Sequence, residues 1–316
     1  MRCFSKPIGI ILCLFLIFSI CGCNGKYIGE LDNNSTSCGN IVMGNGKFAY
    51  DNEFIYFTDL QNIFEYDIKN KKTIFFNSKS QIVRSMFVKN EYIYFACDGL
   101  NRISKDGKKK ENIFTCDKGC LQLYIDGNDA YYLDSIGGSL FYKNLSSLDE
   151  ILVFDNVMSY YVDENNIYVI AKDEDKNALF VSEKVNIDFK KEKISFEPIA
   201  IFVVKDEWFI SKRGSHQIIQ YTNGQTKELP ITSSYYQVFD DNIIYLDSGT
   251  YKNGCFSLMM YNINSNKKTL ISENVFDFNI LSDNYICMQC YTGENAEYKV
   301  YEFKTDVTDI MKSNGK

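Results

Sequence analysis

The sequence predicts an all-β fold, a single β-propeller of four-stranded antiparallel blades behind an export signal. Three observations lead there. A motif of a polar turn, apolar or aromatic residues and a tyrosine recurs seven times at near-constant spacing. Between turns lie short runs rich in Phe, Tyr and Ile, bounded by Asp, Asn, Gly or Lys, the pattern of β-strands. After the leader, no segment keeps a 3.6-residue apolar period over ten or more positions.

The clearest copy of the motif is DNEFIYFTD, Asp51 to Asp59. It returns as KNEYIYF (Lys89 to Phe95), GNDAYYLD (Gly127 to Asp134) and DENNIYVI (Asp163 to Ile170), and more weakly as KDEWFI (Lys205 to Ile210), DDNIIYLD (Asp240 to Asp247) and SDNYICM (Ser282 to Met288). With Tyr56, Tyr94, Tyr132, Tyr168, Phe209, Tyr245 and Ile286 as markers, the steps are 38, 38, 36, 41, 36 and 41 residues. That period is the length of a four-stranded propeller blade, so seven repeats predict a seven-bladed ring. A four-stranded sheet with two apolar faces cannot bury both alone, which is why blades must stack around an axis. An open solenoid or a two-sheet sandwich is the alternative.

Taken in order, residues 1–22 read as a lipoprotein signal peptide. Arg2 and Lys6 give a basic start, Ile8 to Ile20 is a thirteen-residue apolar run broken by Gly9 and Ser19, and no acidic residue precedes Glu30. The run is too short to span a bilayer as a helix, which takes about twenty residues. It ends in Ile20-Cys21-Gly22-Cys23, which resembles a bacterial lipobox and makes Cys23 the expected lipidated N-terminus. Two or more acyl chains give stable anchoring. Residues 23–40, rich in Asn, Ser and Gly from Asn24 onward, read as a tether, and 41–316 as the propeller. The expected location is the cell membrane, lipid-anchored and facing the extracytoplasmic side.

In the first repeat the strands are placed at Lys47 to Tyr50, Phe54 to Thr58, Asn62 to Ile68 and Thr73 to Asn77. In the second they fall at Met86 to Val88, Tyr92 to Ala96, Leu100 to Ser104 and Asn112 to Thr115. The sixth repeat gives Tyr236 to Phe239, Ile243 to Asp247, Ser257 to Tyr261 and Lys268 to Ile271. Thr305 to Ile310 reads as a poor strand, so Ile41 to Met43 is expected to pair as the outer strand of the last blade and close the ring.

Composition narrows function. A chain 45% hydrophobic, 15% aromatic and 24% charged with three prolines is a folded body, not a disordered one. The formal charge of -7 falls to -9 once Arg2 and Lys6 leave with the signal. An acidic body is repelled by nucleic acid, so none is expected as a partner.

Tyr56-Phe57-Thr58-Asp59 is close to the Tyr-Trp-Thr-Asp motif of the low-density-lipoprotein-receptor type propeller, with Tyr132-Leu133-Asp134 and Tyr245-Leu246-Asp247 as degraded copies. With its lipobox and tether, the chain resembles uncharacterised bacterial lipoproteins carrying a receptor-like (YWTD-like) propeller domain of unknown function. Here Trp is replaced by Phe or Leu, and the fourth, fifth and seventh repeats lose the terminal Asp. The resemblance implies a propeller of six to eight blades and an extracytoplasmic binding role, and no reaction.

Enzymatic propellers find little support in the residues. A sialidase needs an arginine cluster, and the mature chain has Arg84, Arg102 and Arg213 alone. A quinoprotein shows repeated tryptophan motifs, and Trp208 is the sole tryptophan. His216 is the sole histidine, so a His-based metal site or a Ser-His-Asp triad would rest on one residue. No cofactor, metal or catalytic residue is expected. Cys287 and Cys290 sit three apart in a strand, where they point to opposite faces, and read as packed thiols rather than a metal knuckle. Cys116 and Cys120 are close enough in sequence to close a loop disulfide.

The turns between first and second strands are acidic, as at Asp51, Asp163, Glu164 and Asp206, though Asp and Asn are also what tight turns use. Loops between second and third strands, on the opposite rim, vary in length, and varied loops on a rigid ring are where recognition usually lives. The two long ones, Asp247 to Phe256 and Tyr291 to Tyr298, make Tyr251, Asn253, Tyr291 and Glu294 candidate ligand-binding residues, with Arg213 and His216 beside them. The expected function is a lipid-anchored binding module for a protein, peptide or glycan ligand. The alternatives are a structural or assembly component of an envelope complex and, behind it, a cryptic hydrolase.

Overall fold

A computed structural model of the chain describes residues 46–303 and 307–312, apart from 79–81, 117, 135–137, 205, 282–284 and 293–294. The leader, Cys23, the tether and Ile41 to Met43 lie outside the described residues. The regular secondary structure among the described residues is entirely β-strand, arranged as antiparallel meanders in a β-propeller.

The sheets cover residues 48–78, 85–115, 120–154, 157–191, 198–232 and 236–312. The expected seven blades are therefore corrected to six. Five sheets have four strands, and the sixth and seventh sequence repeats share one seven-stranded sheet. The cause is the strand Lys267–Ile280, KKTLISENVFDFNI. At the other boundaries the chain leaves the sheet for two to six residues, whereas here it runs on as one 14-residue strand. Its first half pairs with Cys255–Asn262 (Tyr261 opposite Lys268) and its second half with Tyr285–Thr292 (Phe278 opposite Met288). The join is a bulge at Val275 to Asp277, with Asn274 at φ 58°. Bent there, the sheet buries Leu246 and Leu258 with Phe278 and Met288.

Within the four-stranded sheets the predicted strands hold closely. Blade one is Phe48–Tyr50, Phe54–Thr58, Asn62–Asp67 and Lys72–Ser78. First strands of successive blades approach one another and form the inner wall of the ring. Side chains alternate between the two neighbours, as the two-residue period of a strand requires: Tyr131 packs toward blade four and Tyr132 toward blade two.

Buried tyrosines then tie blade to blade through their hydroxyls. Tyr160 of blade four donates to the carbonyl oxygens of Gln122 and Tyr131 in blade three, and Tyr236 of the last sheet donates to Phe209 O at 2.6 Å in blade five. Each such bond satisfies a hydroxyl that burial would otherwise leave without a partner.

One expectation about the chain's end is corrected. Val307–Lys312, expected to be a poor strand, pairs with Asn295–Glu302 as the edge strand of the last sheet, while the expected closing strand, Ile41 to Met43, lies outside the described residues. The last sheet meets blade one through Tyr298, whose ring lies 5.0 Å from that of Phe57 and whose hydroxyl donates to Thr58 O at 3.3 Å. Beside it Lys47 Nζ reaches Gln289 Oε1 at 2.9 Å and Asp277 Oδ2 at 3.2 Å, both side chains of the ion pair being under a tenth exposed. Tyr235 donates its hydroxyl to the other oxygen of Asp277. Removing one member of such a pair strands a buried charge at a cost of about 3–5 kcal/mol, while replacing both with apolar residues is often close to neutral. We therefore expect Lys47→Met to lower the urea midpoint sharply and Lys47→Met with Asp277→Leu to recover most of the loss. A single variant as stable as the parent would show that closure does not depend on this pair.

Candidate functional site

The acidic turns first serve the fold. In blade four, Asp163 Oδ1 accepts the N–H groups of Asn165 and Asn166 at 2.8 and 2.7 Å, and Oδ2 accepts the Tyr168 hydroxyl at 2.8 Å. Asp51 holds Glu53 and Phe54 the same way, with the Tyr56 hydroxyl 3.4 Å from its other oxygen. This Asx turn, closed by a tyrosine five residues on, is the physical content of the repeat in blades one and four.

On the same rim, a cleft of about 850 Å³ opens between blades four and five and reaches blade three at Tyr124. Its aromatic lining comes from Tyr124, Tyr161, Tyr168, Trp208 and Tyr221, its acidic lining from Asp163, Glu164 and Asp206. The sheet register assembles it. Trp208, in Glu207–Lys212, is the cross-strand partner of Tyr221, in Gln217–Thr222, and the rings stack at 5.0 Å and 20°. Tyr168 meets Trp208 at 5.6 Å and 74°, crossing from blade four to blade five. Tyr161, at the end of Val157–Val162, is braced by Phe202 at 5.0 Å. Trp208, Tyr221, Tyr161 and Tyr124 are half-buried, so part of each ring is open to a ligand.

The cleft is electronegative. Burial, and then the charges of Asp126, Asp163 and Glu164, push the Tyr124 hydroxyl up to about 12. Burial, and then Asp163, raise Tyr168 as well. Glu164 and Asp206 are exposed at the mouth, and the described lining contains no Lys, Arg or His. A concave, aromatic, acidic pocket of this size suits non-covalent capture. Among the described residues no group of three His, Cys, Asp or Glu side chains is placed to hold a metal ion.

The sequence-predicted site residues lie on the other rim and divide among separate surroundings. The long loop of repeat six is an extended hairpin, Asn242–Lys252 and Cys255–Asn262, turning at Asn253 (φ 52°) and Gly254. Tyr251 is 63% exposed near its tip and leans on Phe256 at 5.0 Å. Tyr291 is half-buried against Phe276 at 5.6 Å and accepts a hydrogen bond from Gln289 Nε2 at 3.2 Å. Glu294 lies outside the described residues. Arg213 is held by Glu197 at 2.5 Å, and His216, at φ 54°, spends its backbone N–H on Lys212 O. Sequence reasoning marked the acidic turns at Asp163, Glu164 and Asp206 but passed over the cleft's aromatic residues; the one signal for those was the lone tryptophan, set beside the fifth marker where other repeats carry Ile or Tyr.

Cys116 and Cys120 are free thiols, as are the other described cysteines. Cys287 packs toward blade one and Cys290 into the bent last sheet, on opposite faces as the strand period dictates.

No family model and no curated protein sequence matches the chain. Its fold is shared with solved propellers. Nidogen in the nidogen/laminin complex, a YWTD-type propeller, matches with a TM-score of 0.50 at 13% identity over 68% of this chain and 91% of that one. An oligogalacturonate lyase from Vibrio parahaemolyticus matches at 0.57 and 9% identity, covering 90% of this chain and 97% of that one. Hsv2p from Kluyveromyces lactis matches at 0.56 and 9%, over 83% and 96%. At these identities the likeness is one of fold, and a propeller fold hosts many functions.

The raised tyrosines make stability pH-dependent. The folded chain keeps the Tyr124 proton up to about pH 12 while the unfolded chain loses it near 10, so the unfolded state binds fewer protons in that window. This contribution is intact below pH 10 and is lost as pH rises through the folded value. Absorbance at 295 nm should show these tyrosines un-ionised at pH 11 in the native chain and ionised on adding urea; full native ionisation at pH 11 would contradict the burial assigned to Tyr124.

Proposed function

We propose that the chain is an extracytoplasmic binding module, held to a membrane by lipid on Cys23, that captures a protein, peptide or glycan ligand on its propeller. The observation that carries this reading is the cleft between blades four and five, where five aromatic side chains and three carboxylates converge on about 850 Å³. Half-buried aromatic groups on a rigid frame bind with little loss of side-chain freedom, which is why such groups dominate recognition surfaces. The nidogen match supports the fold part of the reading, and the YWTD-like motifs together with the lipobox support the lipoprotein part. No catalytic step is assigned to the chain.

Two experiments test it. Metabolic labelling with a radioactive fatty acid should mark the wild-type chain and leave Cys23→Ala unlabelled; label that persists in the variant removes the anchor. For capture, the anchored chain is crosslinked on intact cells in three forms: unaltered, with Trp208→Ala and Tyr221→Ala, and with Tyr251→Ala and Tyr291→Ala. Loss of crosslinked product in the first double variant alone locates binding in the cleft, and loss in the second alone moves it to the opposite rim.

A further inference from the structure

Three times among the described residues the chain lays one of its own cations on an aromatic ring beside a carboxylate; at ring closure Lys47 Nζ sits 5.1 Å from the Phe276 ring and 3.2 Å from Asp277. In blade two the Arg102 guanidinium sits 4.2 Å from the Tyr92 ring centre and pairs with Glu111 at 2.5 Å. In blade three Lys143 Nζ sits 5.0 Å from the Phe114 ring and 3.0 Å from Glu150. The cleft between blades four and five has the aromatic faces and the carboxylates, and its described lining supplies no cation. Lys184 borders it, donating its backbone N–H to Asn165 O, but its ammonium is taken by Asp126 at 2.5 Å.

We propose that the ligand brings the missing group: the cleft between blades four and five binds an organic ammonium or guanidinium cation, carried by a basic peptide or by a free polyamine. This rests on the reading of the cleft as the binding site. Three physical points favour a cation over the other ligands such a cleft could take. Asp163 keeps its carboxylate fixed by the Asn165 and Asn166 amides and the Tyr168 hydroxyl, so one negative charge of the lining is already held in place. Glu164 and Asp206 stand exposed at the mouth, where they draw in cations and repel anions. A neutral sugar would stack on an open aromatic face, whereas one face of Trp208 is already covered by Tyr221 and Tyr168 crosses it at 74°. Rings set at steep angles around one space are the arrangement that holds an alkylammonium.

Trp208 is the sole tryptophan of the chain, so its fluorescence reports this cleft and nothing else. The full chain in detergent is titrated with trilysine, spermidine, triglutamate and a neutral tetrasaccharide of N-acetylglucosamine. The expected result is a saturable change with trilysine or spermidine, weakened by added salt, and weakened about tenfold or more in Glu164→Gln with Asp206→Asn. Tighter binding of trilysine points to a peptide as the source, tighter binding of spermidine to a polyamine. Neither cation binding, or unchanged affinity in the double variant, overturns the inference. If the tetrasaccharide alone saturates Trp208, the cleft stands as a binding site and the cation is rejected. If no probe moves Trp208 and Trp208→Ala with Tyr221→Ala leaves crosslinking intact, the functional reading fails instead.

Discussion

Every sheet here has two apolar faces, and that constraint organises the molecule. A single sheet of four strands can cover neither face alone, so each blade's stability is borrowed from both neighbours and the borrowing has to close on itself. The core is accordingly divided among the gaps between blades: Tyr94 and Leu100 of blade two meet Leu123 and Tyr132 of blade three, and Phe48 and Phe57 of blade one meet Tyr298 and Val300 of the last sheet. The closing gap is the one the chain cannot make by local pairing, because its partners lie more than 200 positions apart. It is also where a lysine and an aspartate are buried together, Lys47 with Asp277. An ion pair there adds little net stability over an apolar pair, but it penalises any misplacement of the two ends, since either charge alone would be stranded.

Most of the fold was legible because its local chemistry repeats. Phe54–Thr58 and Tyr92–Ala96 could be bounded to the residue, since a tight turn fixes where each strand starts, an Asx turn at Asp51 and a two-residue turn at Asn90 and Glu91, and a polar loop fixes where it stops. The blade count was not legible. The step from Tyr245 to Ile286 has the same length as a true blade boundary, and the turn-type residues between the two repeats, Ser272, Asn274 and Asp277, fall within one continuous strand at a bulge rather than in a turn. A bulge that bends one continuous strand leaves no spacing signature. The last edge strand was missed for a related reason: Val307–Lys312, VTDIMK, has weak strand character alone and gains its pairing from the ready edge of Asn295–Glu302.

The candidate site was legible only in fragments. Loop length drew attention to the hairpin at Tyr251, but a hairpin can lengthen by adding paired residues without becoming a recognition loop, and this one is strand to within two residues of its tip. The cleft was hidden because its residues come from three blades, its aromatic rings from strands and its carboxylates from the turns between them. Tyr124, Tyr161 and Trp208 each read as ordinary core aromatics in their own repeat, and only the ring brings them to one space.

The position of that cleft follows from how the repeat decays around the ring. In blade two Tyr92 and Tyr94 are covered by Arg102 and Phe114 is covered by Lys143 of blade three, so those aromatic faces are consumed by the fold. Blade five replaces the marker tyrosine with Phe209, which turns inward to the core beside Ile218, and shifts its large exposed ring one residue earlier to Trp208. A shift of one position in a strand moves a side chain to the opposite face. Trp208 therefore faces blade four rather than the last sheet, against Tyr168. The same substitution that weakens the sequence motif thus places an aromatic pair at an otherwise acidic gap, and the ring offers a ligand what its own arginine and lysine take up elsewhere.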